Sequence, residues 1–113
     1  MIEQGDIAWL DLNPQSGHEQ KGRRPVVVVS NNEFHLITGN KLAMVCPITN
    51  TGRANLLHVE LDKQTKTTGF AMCEQAKVLD ITARNYEFKE KIPRAILCRI
   101  LERVQAISLL DTE

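Results

Sequence analysis

Aromatic side chains and surplus charge are the two features that this sequence has least of. Phe, Trp and Tyr make up only 4% of the 113 residues, so the chain offers little for the stacking surface on which single-stranded nucleic acid usually lies. Basic and acidic residues number 14 each, which gives a formal net charge of zero. A nonspecific nucleic-acid binder usually carries a large basic excess. The composition therefore argues against such a binder and leaves room only for a local basic pocket.

Cysteines are few, and they are widely spaced. Cys46, Cys73 and Cys98 form no C-x-x-C pair, and each lies in an apolar stretch. We therefore expect buried, reduced thiols in a cytosolic protein. The histidines at positions 18, 35 and 58 show no spacing with these cysteines that is typical of a metal site.

The sequence also lacks the signatures of a membrane or secreted protein. No stretch approaches the roughly 20 apolar residues that cross a bilayer, and residues 1–6 do not resemble a signal peptide. Hydrophobic residues make up 42% and charged residues 25% of the chain, which is typical of a globular domain. We expect one cytoplasmic domain covering residues 1–113, with no membrane partner.

The most distinctive stretch is a polar loop that leads into a run of valines. Residues 17–25 are GHEQKGRRP, and residues 26–29 are all valine. Since β-branched residues fit a pleated surface, the run predicts a strand buried on both faces. Pro25 favours an extended backbone at Arg24, so its guanidinium should leave the strand in a defined direction and suit a phosphate or carboxylate. The alternative is a basic hairpin loop that serves only solubility.

Short strands separated by polar turns account for most of the remaining chain. A short helix is predicted at residues 33–37, with a cap from Asn31 or Asn32. Pro47 should lie at the exit of its strand or at a sheet edge, since it cannot donate a ladder hydrogen bond. Alternation and turn residues predict the strands: 7–12, 26–30, 42–48, 57–61, 69–73, 77–81 and 86–89. For the last of these, within residues 82–91, coil is the alternative.

The carboxyl end is the one convincingly helical segment. Pro93 suits a first turn, and an apolar stripe with helical spacing follows, which should pack on the sheet: Leu97, Ile100, Leu101, Val104 and Ile107. One long terminal helix after six or seven short strands predicts a mainly β fold with α, built as a small, strongly curved antiparallel sheet or barrel.

Three patches of the sequence resemble the MazF/PemK toxin family. The stretch GDIAWLDLNP at residues 5–14, followed by GHEQ at 17–20 and GRRP at 22–25, is similar to the family's opening signature. The segments CPIT at residues 46–49 and CEQAK at residues 73–77 resemble two later family segments, in the same order and spacing. The resemblance implies an SH3-like barrel of the CcdB/MazF type with a long C-terminal helix, usually a homodimer.

The resemblance also implies an activity. Members of the family are ribosome-independent endoribonucleases (mRNA interferases) that cut single-stranded mRNA at a short sequence, arrest translation and growth, and need no metal or other cofactor. By position, Arg24 and Thr49 correspond to the family's catalytic pair; for Thr49 the alternative is a turn residue after Ile48. A ribose 2′-hydroxyl attacks the adjacent phosphorus, so a guanidinium and a hydroxyl would stabilise the charge that gathers on the nonbridging oxygens.

The other candidate residues would transfer protons or bind RNA. His18 and Glu19 are candidates for acid or base, or for support of the loop; for Glu19 the alternative is an ion pair with Arg23 or Arg24. Gln75 has the alternative of closing a barrel turn, Gly22 that of shaping the backbone, and Trp9 is expected in core or dimer packing. Amides suit base edges and cations suit phosphates, which gives the RNA-binding set: Gln20, Gly22, Arg23, Asn31, Gln75 and Lys77.

A partner and two other functions follow from the same residues. An acidic antitoxin tail is expected to lie across the groove at Arg23 and Arg24, and DNA would be contacted only indirectly, through the antitoxin. A barrel that binds a protein such as DNA gyrase without chemistry is one alternative, but residues 109–113 (LLDTE) offer no aromatic hot spot. A catalytically silent RNA-binding barrel is the other.

Overall fold

Seven strands and two α-helices build the part of the chain that the structure describes. The computed structural model describes residues 1–13 and 17–112, so Pro14 and the two residues that lead from it into the polar 17–25 loop lie outside it. Two 3-10 turns occur at Cys73–Gln75 and Ile81–Ala83. The elements run in the order β1 (Asp6–Asp11), β2 (Arg23–Val28), α1 (Asn32–Ile37), β3 (Leu42–Thr49), β4 (His58–Glu60), β5 (Phe70–Met72), β6 (Lys77–Asp80), β7 (Glu87–Lys91) and α2 (Arg94–Ile107).

The strands form one antiparallel sheet with the order β4-β5-β3-β2-β1-β7, and β6 also pairs with β3. On the side away from β2, β3 pairs first with β6, up to Val45, and then with β5, from Ile48 onward. Pro47 lies in the gap between these two partners and opposite Val26 of β2. The expectation of a strand exit is wrong, because β3 continues past Pro47 to Thr49. The alternative, an edge position, holds locally, since β3 has no partner beside Pro47 on this side, and a proline that cannot donate a ladder hydrogen bond is tolerated at such a position.

Alternate valines of the run at residues 26–29, which covers the end of β2 and the residue after it, supply the two halves of the core. Val27 and Val29 belong to a cluster that Ile96 and Ile100 of α2 cover. Val26 and Val28 belong to a second cluster on the opposite face of the sheet. All four valines are buried, which confirms the prediction of a strand enclosed on both faces.

Most predicted elements are confirmed, with differences at particular side chains. Ile107 does not join the buried stripe of α2, since it is 56% exposed near the end of the helix. Cys46 and Cys73 are buried free thiols as expected, but Cys98 is exposed because it lies on the outer side of α2. Within the described residues, neither helix is both long and apolar enough to cross a membrane.

Candidate active site

Arg24 and Thr49 lie at the same end of two neighbouring strands. Val26 of β2 pairs with Pro47 of β3 in an antiparallel register. The pairing of β2 with β3 ends at Val26 and Pro47, so Arg24 and Thr49 each lie two residues further along, at the same end of the two strands. Beyond Pro47, β3 pairs with β5. The topology therefore places the two residues that the sequence predicts as catalytic at one end of neighbouring strands.

The position of Thr49 is fixed from several sides. Thr49 is only 3% exposed and pairs with Phe70 at the start of β5. The preceding Gly69, at φ +119°, lies so close that a Cβ there would be 2.2 Å from the Thr49 carbonyl oxygen. Because no other residue fits such an approach at this φ, Gly69 is required for the packing of β5 against Thr49.

A local turn holds the hydroxyl of Thr49. Its Oγ1 accepts a hydrogen bond from the backbone N–H of Thr51 at 3.2 Å and lies 2.9 Å from the Thr51 hydroxyl oxygen. These contacts orient the hydroxyl, but they leave Thr49 a proton that it can donate to Thr51 or to a bound ligand.

The guanidinium of Arg24 is oriented by the loop that precedes it. Its Nε donates a hydrogen bond to the carbonyl oxygen of Lys21 at 2.9 Å. The terminal N–H groups make no further hydrogen bond or ion pair with the residues that the structure describes. The group is thus oriented, and the fork of terminal donors suits the two oxygens of a phosphate.

Gln75 and Lys77 hold the 17–22 loop from outside. Gln75 Oε1 accepts a hydrogen bond from the backbone N–H of Gln20 at 2.9 Å, and Gln75 Nε2 donates to the carbonyl oxygen of His18 at 3.4 Å. Lys77 Nζ lies 3.5 Å from Glu19 Oε2. The side chain of Gln75 therefore makes the bracing contact that was its alternative role, and the loop carrying His18, Glu19 and Gln20 is attached to the barrel.

Gly22 shapes the backbone where the loop enters β2. It has φ +78°, its N–H donates to Asn13 Oδ1 at 3.1 Å, and its carbonyl accepts from the N–H of Leu12 at 2.9 Å. A left-handed backbone conformation favours glycine over residues with a Cβ. The expectation of a backbone role is confirmed.

Arg23 takes part in a different cluster, next to β1 and β7. It lies 3.2 Å from carboxylate oxygens of both Asp11 and Glu87, and it donates to the carbonyl oxygen of Asn85 at 2.8 Å. The pKa of Asp11 is lowered, first by the hydrogen bond from Asn85 and then by Arg23 and Arg84, which together outweigh desolvation. Two neighbouring carboxylates therefore offset the charge of Arg23.

Asn31 lies away from the other candidates. It follows the far end of β2, roughly 20 Å along the chain from Arg24 by strand geometry. Its side-chain oxygen accepts a hydrogen bond from the N–H of Phe34 at 2.9 Å and so caps α1. The structure thus gives Asn31 the capping role and does not bring it to the Arg24 end.

Sequence patterns missed two residues of this site. Gly69 and Thr51 support Thr49 but are not part of a recognisable motif. A glycine at the start of a predicted strand is a known sign of close backbone approach, and this signal was present. Within the described residues, no cluster of three or more His, Cys, Asp or Glu side chains is arranged to hold a metal ion.

Comparison with known proteins identifies the class to which this site and fold belong. Residues 3–108 match the family described as PemK-like, MazF-like toxin of type II toxin-antitoxin system, and the chain belongs to this family. It is 36% identical over 110 residues to Endoribonuclease PemK of Escherichia coli, covering 94% of this chain and 81% of the relative.

Solved structures agree with the predicted fold. MazF from Deinococcus radiodurans (Form-I) superposes with a TM-score of 0.85 at 28% identity, over 94% of each chain. The MazE-MazF structure (Form-II) from the same organism gives a TM-score of 0.78 at 28% identity, again over 94% of each chain. The predicted small antiparallel barrel with a C-terminal helix is confirmed.

Proposed function

We propose that this chain is an endoribonuclease toxin that cleaves single-stranded RNA, with Arg24 and Thr49 as its catalytic pair. The observation that supports the proposal is the antiparallel pairing of β2 with β3, because Arg24 and Thr49 follow its last pair, Val26 and Pro47, at the same end of the two strands. The 36% identity to an endoribonuclease supports the same function.

RNA cleavage needs hydrogen-bond donors at the scissile phosphate. The ribose 2′-hydroxyl attacks the adjacent phosphorus, the bond to the 5′-oxygen breaks, and the downstream fragment keeps a 5′-hydroxyl. Negative charge gathers on the nonbridging oxygens as the phosphorane forms. The Arg24 fork and the Thr49 hydroxyl would donate to those oxygens, and each preorganised donor can contribute roughly 2.7–4 kcal/mol.

Proton transfer falls to the loop beside this pair. An arginine guanidinium holds its proton too strongly to act as a good base, so we assign the acid and base roles to the 17–22 loop. Glu19, held 3.5 Å from Lys77, is the candidate base, and the exposed His18 is the candidate acid. Gln20 and Lys77 would contact RNA beside the pair, and Gln75 would act by fixing the loop.

We also propose an antitoxin and a second copy of the chain as partners. MazF of Deinococcus radiodurans has been solved with MazE, and a mycobacterial endoribonuclease has been solved with its cognate antitoxin. An acidic antitoxin tail would find Arg24 rather than Arg23, since the latter is already paired with two carboxylates. An apolar groove of about 280 Å³, lined in part by Phe34, Val78 and Val104, supports a homodimer contact.

RNA cleavage in excess EDTA tests the proposal of a metal-independent nuclease. Purified protein should cut a mixed RNA to fragments with 5′-hydroxyl ends, and primer extension should map the cuts to one short sequence. Arg24→Ala should lower the cleavage rate by at least about 100-fold, because the main phosphorane donor is lost. Arg94→Ala, which removes an exposed arginine of α2, is the matched control and should cleave normally.

Two outcomes would contradict this function. Full activity of Arg24→Ala would exclude the proposed role of that guanidinium. RNA left intact by the wild-type protein, together with co-purification of DNA gyrase, would favour the non-catalytic barrel instead.

A further inference from the structure

One carboxylate joins the two ends of the sheet. β4 and β7 are the outermost strands in the strand order, and residues 62–68 connect β4 to β5. Glu90 of β7 accepts hydrogen bonds from the N–H of Lys66 at 3.0 Å and from the N–H and hydroxyl of Thr67 at 2.8 and 2.7 Å. These three bonds close the sheet into a barrel at the 62–68 loop.

A β-bulge in β7 explains how two adjacent side chains, Lys89 and Glu90, both contact Thr67 of this loop. The register of β7 against β1 shifts between Ile7 and Ala8 and leaves Lys89 as the extra residue. Neighbouring side chains of a regular strand point to opposite faces, but here Lys89 Nζ also donates to the Thr67 hydroxyl oxygen at 2.7 Å. Because bulges re-aim side chains, Lys89 and Glu90 can both hold Thr67, which is 3% exposed.

The next residues carry this contact to Thr49. The hydroxyl of Thr68 donates to Asn50 Oδ1 at 2.8 Å. Gly69 follows, with the close approach to the Thr49 carbonyl described above. Two residues thus separate the Thr67 contact from the backbone of the proposed catalytic threonine.

The loop's own hydrogen bonds do not replace the contact with Glu90. Asp62 accepts from the N–H of Gln64 at 2.8 Å, and the hydroxyl of Thr65 donates to the carbonyl oxygen of Thr67 at 2.6 Å. These bonds lie within residues 62–67 and set the shape of the loop. Its hydrogen bonds to the far edge of the sheet come from Glu90 and Lys89 of β7.

We propose that Glu90 is a positioning residue for Thr49, acting through the 66–69 segment. The inference rests on the proposed function for its catalytic consequence, but its structural step is independent of RNA cleavage. When the carboxylate is removed, the segment should move relative to β3, and the Thr49 hydroxyl should be displaced with it.

The test compares Glu90→Gln with Glu102→Gln, which makes the same charge change at an exposed site on α2. Backbone amide NMR signals and single-turnover cleavage are measured for both variants and the wild type. In Glu90→Gln, the amide signals of residues 66–69 and of Thr49 and Asn50 should shift. The maximal cleavage rate should fall about tenfold, since small misplacements of reacting groups are costly, and the KM should stay within about twofold. Glu102→Gln should match the wild type.

The outcomes separate positioning from a purely structural role. Lower stability with unchanged Thr49 and Asn50 signals and an unchanged maximal rate would overturn the proposal. If Glu90→Gln does not fold, Thr67→Val takes its place, because it keeps the backbone N–H contacts and removes only the hydroxyl; unshifted Thr49 signals there would also overturn it. If the wild type does not cleave RNA, the proposed function fails, and the NMR shifts still decide the role of Glu90.

Discussion

The two ends of the β2–β3 pair carry similar polar residues and use them differently. At the far end, Ser30 Oγ accepts from the N–H of Met44 at 2.9 Å and bonds His35 Nε2 at 2.7 Å, and Asn31 caps α1. At the other end, Arg24 and Thr49 bond to the loop atoms of Lys21 and Thr51.

This difference shows what makes a polar residue available for chemistry. Partners inside strands and helices cannot leave without loss of the element, so the far end is committed to structure. Loop partners can be exchanged for a ligand, while the strands beneath keep the donor in place. Four substitutions or conditions, from the largest expected effect to the smallest, can break or sharpen the comparison.

Gly69→Ala should have the largest effect, because it disrupts the packing of the start of β5 against Thr49. The new Cβ would lie 2.2 Å from the Thr49 carbonyl oxygen at φ +119°, so we expect unfolding to become easier by about 3 kcal/mol or more. Urea denaturation measures this. Gly39→Ala, at φ +64° with open space around it, is the control and should cost only about 1–2 kcal/mol. Equal effects of the two would show that the close approach does not matter.

Thr49→Val should leave the fold in place and slow catalysis. Valine has nearly the same shape and lacks the hydroxyl donor, so cleavage should slow roughly 100-fold, while stability falls by only about 1 kcal/mol with the loss of the Thr51 hydrogen bond. Thr49→Ser restores the hydroxyl and should recover most of the rate. A serine variant as slow as the valine variant would remove the hydroxyl from the mechanism.

Ser30→Ala should show the opposite pattern at the far end. The substitution leaves Nε2 of His35, which is 1% exposed, without its hydroxyl partner, and an unsatisfied buried group costs roughly 1–3 kcal/mol. Thermal or urea unfolding should report this loss, and the cleavage rate of the folded protein should not change. Slower cleavage by the folded variant would mean that the two ends are coupled.

Acid should weaken the Glu90 contact, with the smallest expected effect. Burial opposes ionisation of Glu90, but hydrogen bonds from Lys66 and Thr67, with the Lys89 charge, lower its pKa overall. The ionised Glu90 carboxylate therefore adds its full contribution to the free energy of unfolding above the pKa of an unfolded glutamate, about 4.3. This contribution is lost as the pH falls through the lower pKa of Glu90 in the folded protein. The wild type and Glu90→Gln should differ in their free energy of unfolding by about 1 kcal/mol near neutral pH, and urea denaturation should show this difference shrinking in acid. A difference that stays constant with pH would contradict the lowered pKa of Glu90.

The strands, the long helix and the cap of the short helix were predictable from the sequence because they follow local rules. The valine run and the α2 stripe obey the strand and helix periods, and the Asn31 cap follows from its residue type. The opposed directions of Arg23 and Arg24 also follow from strand geometry, since consecutive residues of a strand face opposite sides. Because Arg23 is paired with Asp11 and Glu87, the antitoxin groove expected at both arginines is proposed at Arg24.

The supporting contacts were not predictable, because they join distant segments through irregular backbone. Glu90 and Thr67 are 23 positions apart, and the bulge at Lys89 changes which side chains reach the loop. The bracing by Gln75 joins residues 55 positions apart. Such contacts depend on how the barrel closes, which no local pattern encodes.

The chain contains a single tryptophan, and its surroundings make it a natural fluorescent probe of the contact between β7 and residues 66–67. The ammonium of Lys89 lies 5.3 Å from the centre of the Trp9 ring while it also donates to Thr67. A cation so near an indole influences its emission, so any displacement of residues 66–67 that moves Lys89 will change the fluorescence. Tryptophan fluorescence can thus report, without a label, whether the contact between Lys89 and Thr67 changes when RNA or an antitoxin is added.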